Sequence, residues 1–192
     1  MGKDRLTAFS DGVIAIIITI MVLELHVPHG SDPSALAAIA PSFLTYVLSF
    51  IYVGIYWNNH HHLLHTVTRV DGLILWTNLH LLFWLSIIPV ATAWMGQNLG
   101  APLPTATYGA ALLMPAIAYM LLQRAIIHRH GKQSLLAEAL GSDLKGKISP
   151  ILYVAGMALA FVNPWISIAL YVLVAVIWLV PDRRIEKIVG RE

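Results

Sequence analysis

The sequence predicts an all-α integral membrane protein with six transmembrane helices, and three observations predict it. Of its 192 residues, 58% are hydrophobic and only 11% charged, with a mean hydropathy of +0.73. An ordinary soluble domain is about 45–50% apolar and about 25% charged, so this chain lacks the charge to cover a globule of its size in water. The apolar residues gather into six stretches separated by short polar breaks. All 12 Lys and Arg residues fall at the two termini and at alternate breaks. Composition therefore excludes a soluble enzyme, a nucleic-acid binder and a disordered regulator. The absence of cysteine excludes disulfides, thiolate metal sites and cysteine nucleophiles.

A bilayer core of about 30 Å needs about 17–25 mostly apolar residues per helix. The first span covers about residues 6–25 and stops before His26-Val27-Pro28-His29-Gly30. The second covers about 35–59, the third about 72–95 and the fourth about 105–127. The fifth and sixth, about 148–162 and 165–180, meet at Asn163-Pro164, a turn signal because proline cannot continue a helix and restricts its predecessor. Pro89 and Pro115 are expected to kink the third and fourth spans. The longest piece between spans, 128–147, is too short to fold alone, so residues 1–192 read as a single six-helix transmembrane domain. No three-plus-three duplication is visible, which leaves an inverted-repeat transporter without support. Lys3 and Arg5 ahead of an apolar run imitate a secretory leader. Asp11 interrupts that run and no small-residue cleavage site follows promptly, so the segment is expected to remain as the first span.

Lys3 and Arg5 precede the first span, and Arg69 lies between the second and third. Arg124, Arg129, Lys132, Lys145 and Lys147 surround the connection between the fourth and fifth; Arg183, Arg184, Lys187 and Arg191 follow the sixth. None falls in the other three loops. The positive-inside rule then puts both termini in the cytoplasm and the loops at Pro28, Gly100 and Pro164 outside.

Polar groups inside spans are costly and call for a partner or a task. Asp11 has two readings: an interfacial carboxylate paired with Arg5 or the helix N-terminus, or a member, with Ser10, of a buried inter-helix knot. Beyond it the first span is almost wholly apolar until Glu24, with Thr19 as the lone polar side chain. By composition that is a lipid-facing or core helix. The second span ends in Trp57-Asn58-Asn59-His60-His61-His62, with His65 one turn on. His61 and His65 are spaced i, i+4, as zinc ligands can be, yet no acidic residue completes an HExxH pattern. Interfacial histidines bonded to neighbouring helices, adventitious metal binding and proton sensing are the other readings. In the third span, Asn78 and His80 are expected to bond across helices. No nucleophile–base pair, phosphate loop, dinucleotide fingerprint or TVGYG-type filter is present.

The first span then gains a sharper reading. Arg5-Leu6-Thr7-Ala8-Phe9-Ser10-Asp11-Gly12-Val13-Ile14-Ala15-Ile16, with Thr19 following, resembles the RxxxFSDGVxAI…T signature of the transmembrane protein 175 family of potassium-permeable channels. The resemblance continues in Tyr56-Trp57, His60-His61, Arg69-Val70-Asp71, Trp76-Thr77-Asn78-Leu79 and Ile88-Pro89. One six-helix repeat, as in the bacterial form, implies a homotetramer with the first helix lining a central pore. The resemblance implies a hydrophobic constriction at Ile16, with Thr19, Ile20 and Leu23 on the same pore face. It assigns Arg5, Phe9, Ser10 and Asp11 to a polar network in which Trp57, His60 and Asn78 are the candidate partners; His62 lies outside the motif.

The implied function is passive conduction of potassium by a cation channel, in which Glu24 would concentrate cations at the outer mouth. The alternative is a secondary or proton-coupled transporter using Asp11 and the histidines as a relay. The expected partners are further copies of the chain, potassium and other monovalent cations, and the lipid bilayer of the plasma membrane. Neither catalysis, nor a cofactor beyond the permeant ion, nor nucleic-acid binding is expected.

Overall fold

The computed structural model describes residues 2–131, 136 and 144–179. Among these the chain forms six α-helices: α1 (Lys3–Leu23), α2 (Pro33–His65), α3 (Gly72–Gln97), α4 (Pro102–His130), α5 (Leu144–Leu159) and α6 (Pro164–Leu179). α1 to α4 are each long and apolar enough to cross a membrane. α5 and α6 have 16 residues each, and each borders residues outside the description. Lys132, Arg183, Arg184, Lys187 and Arg191, which carry part of the charge pattern, and the last residue of the sixth span lie outside the described residues.

The local chemistry explains the boundaries. Pro33 and Pro102 open α2 and α4, where a missing N–H costs nothing. Asp71 caps α3 by accepting from the Ile74 N–H at 2.9 Å, and Asn163 caps α6 by accepting from the Trp165 N–H at 3.0 Å. α2 differs most from expectation. It runs on through Asn59 to His65 and, at 33 residues, is about 50 Å long, well beyond a bilayer core of about 30 Å. α5 is likewise already helical at Leu144, ahead of its apolar run, and stops at Leu159. The helices continue through Pro41, Pro89, Pro115 and Pro150.

α3 stands between α1, α2 and α4, while α4 packs on α5 and α6, and α2 reaches across to α6. α1 packs principally on α3 and α2. Two apolar clusters result. One joins Leu6, Ile14, Ile17 and Met21 of α1 to Val53, Leu63, Leu81, Leu85 and Ile126 on α2, α3 and α4. The other gathers Tyr52, Tyr108, Tyr153 and Tyr171, one from each of α2, α4, α5 and α6. The Tyr171 ring lies against Gly109 and Gly156, where an added Cβ would collide with it. Near the end opposite the basic residues, a Cβ on Gly96 would stand 2.8 Å from the Ser42 Cα, so α2 and α3 cross there backbone to backbone. Phe43, Trp76, Phe83, Ile151 and Val176 point outward, which hydrocarbon tails accept as readily as a protein core.

Candidate functional site

α1 has two faces of different character. Leu6, Ser10, Ile14, Ile17 and Met21, spaced by three and four residues, are buried. Ile16, Ile20 and Leu23 follow the same spacing on another face, 58%, 42% and 80% exposed, and Thr19 is exposed beside them. The Thr19 hydroxyl donates to the Ile16 carbonyl at 2.9 Å, so its proton is held within the helix. Ile16 and Ile20 line a groove of about 520 Å³ between α1 and α3, closed on the far side by Pro89, Val90 and Trp94, with Glu24 at its end.

The buried face of α1 is tied to α2 and α3 by polar groups that are 0% exposed. The Asn78 amide nitrogen donates to Ser10 Oγ at 2.9 Å, and Ser10 Oγ donates to the Leu6 carbonyl at 2.9 Å. With its nitrogen so used, Asn78 presents Oδ1 to His60 Nε2 at 2.7 Å, which makes Nε2–H the donor. The other ring nitrogen of His60 is Nδ1. That atom is buried and has no hydrogen-bond partner among the described residues. Three helices are thus joined by a single file of hydrogen bonds at α1's second turn.

One residue further along α1 a second contact forms. Trp57 Nε1 donates to Asp11 Oδ1 at 3.0 Å in an exposed setting. The structure thus brings Ser10, His60 and Asn78 together and pairs Asp11 with Trp57. It does not bring in Arg5 or Phe9: both are exposed, and among the described residues Arg5 has neither an ion pair nor a hydrogen bond. The expected Arg5–Asp11 pairing is not formed; Asp11 Oδ1 accepts from the indole on α2 instead. His80 also departs from expectation. It accepts from Trp84 Nε1 at 2.9 Å, one turn away on α3, instead of crossing to another helix.

The basic end of the bundle holds contacts that the sequence did not announce. Lys3 Nζ donates to the His65 carbonyl at 3.0 Å, tying the start of α1 to the end of α2. His130 Nε2 accepts from the Thr68 and Arg69 N–H groups at 3.1 and 3.3 Å, and Arg129 meets Asp71 at 3.5 Å. Towards the other end, Ser49 Oγ lies within 2.9 Å of the Thr45 carbonyl and the Thr92 and Tyr108 hydroxyls. Tyr52 donates to the Tyr171 carbonyl. The signal that could have found this second network is the tyrosines themselves, since a phenol buried in an apolar bundle needs a partner. Among the described residues no group of three or more His, Asp or Glu is arranged to hold a metal ion.

Comparison with known proteins gives concordant matches. The family model described as endosomal/lysosomal potassium channel TMEM175 matches residues 5–89, the segment holding α1, α2 and the buried Asn78. A potassium channel of Chryseobacterium sp. strain P1-3 is 60% identical over 187 residues, 97% of this chain and 97% of its own length. A potassium channel of Chamaesiphon minutus is 30% identical over 90% of this chain and 91% of its own. Among solved structures, the crystal structure of a lysosomal potassium-selective channel TMEM175 homolog from Chamaesiphon minutus superposes with a TM-score of 0.82 at 29% identity, covering 94% of this chain and 97% of that one.

Proposed function

The chain belongs to the TMEM175 family, and from that premise we propose that it is a potassium channel whose pore is lined by the uncovered face of α1 at the centre of a homotetramer. One observation carries this reading: α1 keeps Ile16, Thr19, Ile20 and Leu23 bare while its opposite face is locked into the bundle through Ser10. A closed ring is the common way for identical subunits to cover such a face. Four copies of Ile16 around an axis make a narrow apolar gap that resists ions by dewetting when closed. A cation passing the open gap must shed most of its water, which potassium does more readily than sodium. Arg5, exposed on a single chain, and the half-buried Asp11 complete the polar network from the ring. Residues 1–192 act as one channel unit, and no catalytic chemistry or cofactor beyond the permeant ion is needed.

The protein is a multi-pass membrane protein. Its orientation follows from the end where Lys3, Arg69 and Arg129 collect, which we place in the cytoplasm of a cell whose plasma membrane the bundle crosses. Cysteine labelling at Gly30 and Gly190 tests this: Gly30 should react from outside and Gly190 from inside.

Single-channel recording of the purified protein under bi-ionic potassium/sodium conditions tests conduction. Currents should follow the gradient at high unitary rate and favour potassium. Ile16→Asn should hydrate the gap, raise sodium permeation and reduce selectivity, while Ile18→Asn should do neither. The reverse pattern would move the pore to another face. The open Nδ1 of His60 favours one rival, a proton-coupled carrier, which would show slow, saturable flux instead of unitary currents.

A further inference from the structure

At the basic end of α2, His61 and His65 stand one helical turn apart with ring centroids 4.5 Å from each other. Residues at i and i+4 project from one face of a helix, the spacing with which two imidazoles can grip one ion. Neither ring makes a hydrogen bond among the described residues, so their nitrogen lone pairs are uncommitted. His65 is the last residue of α2, where unpaired carbonyls give the helix end a partial negative charge. A cation already uses that end: Lys3 Nζ sits 3.0 Å from the His65 carbonyl.

We propose that His61 and His65 form a binding site for one divalent transition-metal ion, and that the ion competes with Lys3 for the end of α2. Two neutral imidazoles select nickel, copper or zinc over magnesium and calcium, which prefer oxygen ligands. With no third protein ligand arranged beside them among the described residues, water completes the coordination shell. His62 is the neighbour that does not take part. Its ring is 5.6 Å from that of His61, but among the described residues it makes no ring contact with His65, whereas the His61 and His65 rings close to 4.5 Å. Because Lys3 belongs to the first turn of α1, an ion at His61 and His65 repels the charge that ties α1 to α2. The site stands whether or not the channel reading does.

Calorimetric titration of the purified, tag-free full chain with Ni²⁺ tests it. The native protein should bind one ion per subunit, and His61→Ala and His65→Ala should each weaken that binding by about tenfold or more. His62→Ala should leave it within about twofold, and Lys3→Gln should tighten it several-fold. His26, His29 and His128 contribute the same background to every variant. A second readout is the nitrogen hyperfine pattern of bound Cu²⁺, which should report two imidazoles in the native protein and one in either single variant. Native affinity in His61→Ala or His65→Ala, an equal loss in His62→Ala, or a single coordinating nitrogen in the native protein overturns the site. Unchanged binding in Lys3→Gln overturns the competition. All of these positions lie at a helix end, so circular dichroism should show the native helix content throughout.

Discussion

Two buried polar networks hold this bundle, and they are made of different groups. Towards the end opposite the basic residues, Ser49, Thr92, Tyr108 and Tyr52 use hydroxyls, each of which rotates to donate or accept as its neighbours require. At the second turn of α1, His60 and Asn78 use planar groups whose donors and acceptors are fixed in place. The hydroxyl network is chemically forgiving but sterically tight, since Tyr171 beside it is pressed between Gly109 and Gly156. The planar network has the opposite tolerance: it is limited by chemistry, and it ends in the Nδ1 of His60, which has no partner among the described residues. It also joins α1, the helix with an uncovered face, whereas the hydroxyl network joins helices packed on several sides.

Four substitutions can break that contrast. Gly109→Ala should have the largest effect, because the new methyl meets the Tyr171 hydroxyl and Met157; we expect a loss of about 3 kcal/mol in detergent denaturation, as for an overpacked core. Asn78→Ala should come next, at about 2 kcal/mol, since it strands the His60 N–H and removes the donor to Ser10. Hydrogen exchange should separate the two, with α1 amides near Ser10 exchanging faster in Asn78→Ala and unchanged in Gly109→Ala. Tyr108→Phe removes one hydroxyl from a set that can turn towards other partners, and should cost about 1 kcal/mol with no change in α1 exchange. Trp57→Phe should cost least, about 0.5 kcal/mol or less, because its bond to Asp11 is exposed on the single chain. If Tyr108→Phe proved as costly as Asn78→Ala, the distinction between rotating and fixed groups would fail.

The six helices were legible because each carries an apolar run, but their ends were not. Asn58, Asn59 and His60 look like the close of a span, and the run of hydropathy does stop there. The helix continues to His65 because leaving the bilayer does not unwind a backbone whose hydrogen bonds are already made. Lys145 and Lys147 hid the start of α5 in the same way. In the site, Ser10 and Asn78 could be found from the cost of burying a polar group in a span. The pairing of Asp11 with Trp57 rather than Arg5 could not, because it depends on how α2 is rotated against α1. The hydroxyl network was harder still: Ser49 and Tyr108 are 59 residues apart, Tyr52 and Tyr171 are 119 apart, and nothing in either local sequence points to the other.

The hydrogen bonds that anchor α1 all run one way, from His60 through Asn78 to Ser10 and on to the Leu6 carbonyl. Only an amide can receive from the imidazole and give to the hydroxyl in one planar side chain of that size. Aspartate at 78 would still accept from His60 but could give nothing to Ser10, which would have to turn away from Leu6 to reach it. A hydrocarbon would answer neither neighbour. No single exchange reverses the direction of the series, because each proton's place is dictated by the group before it. The opposite order would need the Asn78 amide turned over, the His60 proton moved to Nδ1 and the Ser10 hydroxyl swung from Leu6 to Asn78, all in one step. Positions 10, 60 and 78 therefore act as one unit, and a change at any one of them leaves a neighbour's donor or acceptor unanswered.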